Sequence, residues 1–379
     1  DMSSDITVTG LGNLTVSANA GDALGIGTAA GSTAYVEMTG TIDVYTANGD
    51  ASGILAENNS DTTVRMDPDK SNNDIFVHSV SNGNAYGMVA SGDSDIVFEN
   101  VRNLVVSADA GDAYGLFAND PSTISGDVES ITVTASGNAY GAFAYSDSMI
   151  DAAMSGDITV ESTSAGVAIG VGAMTSSDVT ITGLNDLTVL ANAGDATGIG
   201  ALDNSTTDVE MTGDILVETA SGRAVGIGAL ISSDVTVSGL GNLTVKAAGD
   251  EAIGIGADEN STAFVSMDGD VNVETLNRNA YGAAAHSGSS IYLTGANAME
   301  VSTEDGDGYG VNAKDISTVS ADIESITVTA TGDAYGALAQ LDSEIDLLMS
   351  GDMTVTSSGT GQAIGIGADM SSDITVTGL

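Results

Sequence analysis

The side chains of this chain that could do chemistry are almost all carboxylates. Asp and Glu number 53, against 7 Lys and Arg, 2 His and no Cys, for a formal charge of −46 at neutral pH. Without cysteine there is no disulfide, zinc–thiolate or thiol nucleophile. The charge disfavours nucleic acid and anionic lipid as partners and favours solubility and cation binding. Arg65, Lys70, Arg102, Arg223, Lys246, Arg278 and Lys314 are dispersed, and His78 and His286 stand far apart. Acid–base catalysis needs a base and its orienting partner within hydrogen-bond reach. This spacing offers no such pair, and no groove of non-repeating aromatic and basic residues is expected. The chain reads as a non-enzyme.

The carboxylates themselves recur in two sets. Asp22, Asp50, Asp112, Asp195, Asp250, Asp307 and Asp333 each precede an Ala-x-Gly or Gly-x-Gly phrase, with Asn84, Asn138 and Asn279 taking the same place elsewhere. Asp127, Asp157, Asp214, Asp270 and Asp352 precede a Val-containing segment. Two such carboxylates one strand spacing apart repel by roughly 0.9 kcal/mol even in water. Calcium would offset that and is the one cofactor the composition admits, although none is required. A solvated acidic edge that prevents lateral aggregation is the favoured alternative. The one compact cluster is 66–74, with Asp67, Asp69 and Asp74 as candidate metal ligands. Its DxDxS opening lacks the central glycine and distal glutamate of an EF-hand loop.

The elements that must hold these residues are set by a repeat. The glycine of the phrase falls at Gly25, Gly53, Gly87, Gly115, Gly141, Gly170, Gly198, Gly226, Gly254, Gly282, Gly310, Gly336 and Gly365, a mean spacing of about 28. A period in that range marks a solenoid. Each unit has three apolar segments. In 232–257 they are Val235 and Val237, then Leu243 and Val245, then Ala252 to Ile255, with Gly239 to Asn242 and Gly249-Asp250 as turns. Alternation of β-branched and polar residues reads as strands with one buried face. Valine fills one position in all thirteen units, from Val16 and Val44 to Val355, and the residue two before it is always apolar. The expected fold is therefore all-β: a parallel β-helix (β-solenoid) with three short strands per coil of about 28 residues, coils ~4.8 Å apart. It is read as one continuous solenoid over 1–379, uncapped at both ends, with an irregular loop at 66–74. Tyr86, Tyr114 and Tyr140, and again Tyr281, Tyr309 and Tyr335, occupy successive coils, so their rings should stack. No run of about 18 apolar residues exists to span a membrane as a helix.

Residues 122–144, STISGDVESITVTASGNAYGAFA, match 317–339, STVSADIESITVTATGDAYGALA, at 17 of 23 positions. The phrase GNAYGAFA, its ITVTASG lead-in and the 28-residue recurrence resemble the passenger regions of bacterial autotransporter-type surface adhesins. That resemblance implies a secreted, right-handed parallel β-helix at the cell surface or in a secreted filament, and supplies no catalytic motif. DMSSDITVTGL occurs both at 1–11 and at 369–379. The expectation is a window of a longer array that continues end to end, through further repeats or copies of itself. The functional expectation is an extracellular structural fibre or stalk with adhesive capacity, surface glycans among its partners. The alternative is a carbohydrate-binding or carbohydrate-cleaving β-helix.

Overall fold

The computed structural model describes residues 4–378. Among them there are 36 strands and no helix. The chain divides into two compact units, Asp1–Asn185 and Asp186–Leu379. Each is a stack of parallel coils with three strands per turn, and the two together hold about thirteen turns.

One coil of the second unit shows why the sequence folds this way. Its strands are Asp234–Leu240, Leu243–Ala247 and Ala252–Asp258. Each pairs in parallel with the equivalent strand of the next coil: Val237 with Val265, Val245 with Val273, Ile255 with Ala283. Alternate residues of the first two strands point inward, so Val235, Val237, Leu243 and Val245 are at most 1% exposed. The valine column is the centre of the core. From Val44 to Val328 every copy is buried, and only Val16 and Val355 are half-buried.

The third strand bends at its glycine. Ala224 is buried, Val225 half-buried, and then Gly226 and Ile227 are both buried in succession. Alternation changes phase there because the backbone closes onto the core. A Cβ on Gly226 would lie 2.6 Å from the Gly254 carbonyl oxygen and 2.8 Å from Val245 Cγ2. The Ala-x-Gly phrase is thus the signature of a bend that no side chain can enter.

Where the first strand runs straight into the second, the intervening turn is lost. Thr123–Ala135 and Thr318–Ala330 are such fused strands. The irregular loop lies at the same corner, between Asp61–Met66 and Asp74–Ser79. It is shorter than expected: Met66 ends a strand and is buried, and Asp74 begins the next.

Candidate functional site

The three corners of the coil commit their polar side chains to the main chain of a neighbouring coil. Between the second and third strands, the Asp50 N–H donates to Asp22 Oδ1 (2.9 Å), Asn84 N–H to Asp50 Oδ1 (2.8 Å), Asp112 N–H to Asn84 Oδ1 (2.9 Å) and Asn138 N–H to Asp112 Oδ1 (2.7 Å). The position needs an acceptor oxygen and not a charge, which is why Asn alternates with Asp. The corner between the first and second strands repeats the device. Asn242 N–H donates to Asp214 Oδ1 and Asp270 N–H to Asn242 Oδ1.

The third corner carries a ladder that sequence reading missed. Ser32, Ser60, Ser94, Ser122 and Ser148 each donate a main-chain N–H to the hydroxyl oxygen of the next serine, at 3.1–3.3 Å. Ser205, Ser233, Ser261, Ser289, Ser317 and Ser343 do so in the second unit at 3.1–3.2 Å. Most of these serines are buried. The signal was present as a serine in every coil, hidden in a chain rich in Ser and Thr.

The expected metal ligands are placed on the loop and its rim. Asp67 Oδ1 accepts the Asp69 N–H (3.0 Å), and Asp74 Oδ1 accepts from Asn103 Nδ2 (2.7 Å). Among the described residues no three acidic, His or Cys side chains are grouped to hold a metal ion. Cavities of about 400 and 440 Å³ flank the loop at Pro68. In the first of them Asn73 is 3% exposed and its Oδ1 has no partner. His78 Nε2 lies 3.2 Å from Asp109 Oδ2 and its ring is edge-on to Tyr45.

Both tyrosine trios stack. Tyr86, Tyr114 and Tyr140 have centroids 5.2 and 4.7 Å apart, and Tyr281, Tyr309 and Tyr335 have centroids 4.7 and 5.0 Å apart. Burial raises the pKa of all six phenols above 10.0, Tyr114 and Tyr309 most. In the first unit the stack is closed in by Phe117 and Phe143, 4.7 Å from Tyr114 and 4.9 Å from Tyr140.

In the second unit the corresponding outward column lacks large side chains over three coils. Gly228, Gly256 and Ala284 stand in register on three consecutive coils, where Leu55, Val89, Phe117 and Phe143 stand elsewhere. They floor a cavity of about 290 Å³. Val225, Ile253 and Tyr281 form one wall, Leu230, Asp258 and His286 the other, and Arg223 and Glu251 close one rim. Arg223 and Glu251, and Asp258 and His286, are each 28 residues apart in sequence but on adjacent coils. Spacing along the chain therefore concealed them, and the glycines in the outward column were the available signal.

The groups at this groove are well defined. Asn279 Nδ2 donates to the Tyr281 hydroxyl oxygen (3.2 Å), leaving the phenol proton free to donate outward. Asn312 Nδ2 donates to the Leu338 carbonyl, so its Oδ1 faces His286 Nε2 at 2.8 Å. In the neutral imidazole that contact places the proton on Nε2 and leaves Nδ1 as the acceptor. Arg223 Nε is 3.5 Å from Glu251 Oε2, close enough for an ion pair. It is nonetheless buried without a hydrogen-bond acceptor. Burial raises the Glu251 pKa, opposed by Arg223.

No protein-family model, characterised protein or solved structure matches this chain. The likeness to autotransporter passenger regions rests on the phrase itself, and the parallel β-solenoid is what the structure shows.

Proposed function

We propose that the chain is an extracellular structural fibre or stalk, with a mechanical role and no catalytic one. The observation that supports this is how the recurring polar side chains are used. Corner Asp, Asn and Ser residues bind main-chain N–H groups of adjacent coils instead of facing a common reaction centre. A pull along the stack must then break main-chain ladders and corner bonds of a whole coil together. Force spectroscopy on intact source cells, with a tip carrying antibody to this chain, tests both location and role. Each lost coil should release about 9 nm, since 28 residues extend by ~3.3–3.6 Å each. A tip that captures nothing until the cells are permeabilised, or traces without resisted steps, would overturn the proposal.

A further inference from the structure

We propose that the groove between Tyr281 and Arg223 is a binding site for a neutral saccharide, one or two pyranose rings long. This goes beyond the structural role, and its failure would leave that role standing.

The groove's shape points to a flat, compact ligand. Its floor is Gly228, Gly256 and Ala284, so a ring can approach the sheet where other coils project Leu or Phe. One face of Tyr281 is stacked on Tyr309 at 4.7 Å, and its register neighbour on the other side is the smaller Ile253. The unstacked face of Tyr281 is therefore an end wall, and Ile253 and Val225 continue the apolar side. An aromatic face against an apolar patch suits the C–H faces of a sugar ring. A volume of about 290 Å³ is at the small end of ligand sites.

The polar groups select among compact ligands. The exposed end of the Arg223 guanidinium and the Tyr281 O–H are donors. Glu251, Asp258 and His286 Nδ1 are acceptors on the same three coils. Hydroxyl groups both donate and accept, so a polyol satisfies both sets. An anion would meet Glu251 and Asp258, and would approach a chain of charge −46. A cation would meet Arg223. Arg223 Nε itself is occluded beside Glu251 Oε2, so the donors that reach a ligand are the Nη groups at the exposed end of the guanidinium.

The chain has no Trp, so its emission comes from ten tyrosines, of which Tyr281 lines the groove, and Tyr281→Ile identifies the part of any change that belongs to the site. The full chain would be titrated with neutral disaccharides of glucose, galactose and mannose, and separately with a uronic-acid disaccharide and with choline. The expected result is saturable binding of at least one neutral disaccharide, seen by fluorescence and calorimetry. Gly256→Leu fills the floor with a residue the chain itself uses at Leu55 and Leu338. Its Cβ would lie 3.2 Å from Ile253 Cγ2, so Ile253 must shift slightly and a small drop in melting temperature is expected, while binding weakens by about tenfold or more. Tyr281→Ile, which copies Ile253, should also lose binding. Three outcomes would overturn the proposal: no neutral disaccharide bound, binding only of choline or the uronic acid, or Gly256→Leu binding like wild type.

Discussion

At the scale of single residues, the corner after the third strand stores strain that the sequence does not advertise. Two successive residues there adopt left-handed backbone: Asn58 and Asn59, Asp203 and Asn204, Glu259 and Asn260. Asn and Asp tolerate positive φ, and Glu259 does so less readily. Asp315 and Ile316 take the same turn, with φ 62° at Ile316, whose side chain is 73% exposed. A β-branched residue in that conformation gains no burial to offset the cost. Ile316→Asn should therefore stabilise the coil by about 1 kcal/mol. Chemical denaturation would show it as a higher midpoint with an unchanged slope. A midpoint equal to or below wild type would mean that the isoleucine is held by contacts its exposure hides.

At the scale of elements, columns rather than strands carry the structure. Each Val or Ser is surrounded by copies of itself above and below, so register is locked by identity. The tyrosine stacks follow the same rule and add a titratable property. Tyr114 is raised first by burial, then by Tyr140, Asp112 and Tyr86, and Tyr309 is raised first by burial, then by Tyr281. A raised folded-state pKa favours the fold fully below the unfolded value near 10. That contribution is lost as pH climbs through the folded values. Denaturation midpoints should fall above pH ~10, with the share of tyrosinate absorbance that belongs to the six stacked phenols appearing as the sheet signal is lost. Ionisation of the stacked phenols at the ordinary tyrosine pH, with sheet content intact, would contradict the stacks. The valine column, the three strands and the tyrosine stacking were legible in sequence, because each depends on one residue type recurring at one spacing. The groove was not, because it is defined by Gly228 and Gly256 lacking side chains their neighbours possess. The bend at Gly226 was half legible: small residues marked close packing, but only the exposure pattern shows where alternation changes phase.

At the scale of the whole molecule, the charge of −46 is the main electrostatic liability the fold must tolerate. The seven cations answer little of it. Arg65–Glu99, Arg102–Glu129, Lys246–Glu218 and Arg278–Asp250 are ion pairs with substantially exposed side chains. Such pairs contribute about 0–1 kcal/mol each. Calcium at the acidic corners was one expected answer. The corner geometry supplies another, since Asp22, Asp50, Asp112, Asp214 and Asp333 each already accept a main-chain N–H from a neighbouring coil. These bonds give the corner carboxylates a partner within the fold without a metal. What remains is longer-range repulsion between exposed carboxylates, which salt screens with a Debye length of about 10 Å at 0.1 M. The melting temperature should therefore rise with added NaCl and level off as that length falls below the spacing between acidic edges. Calcium should act no more strongly than sodium once ionic strength is matched, and EDTA should leave the melt unchanged. A chelator-induced drop beyond the ionic-strength control would show instead that divalent ions hold the corners, with Asp67, Asp69 and Asp74 among the first positions to replace by Asn.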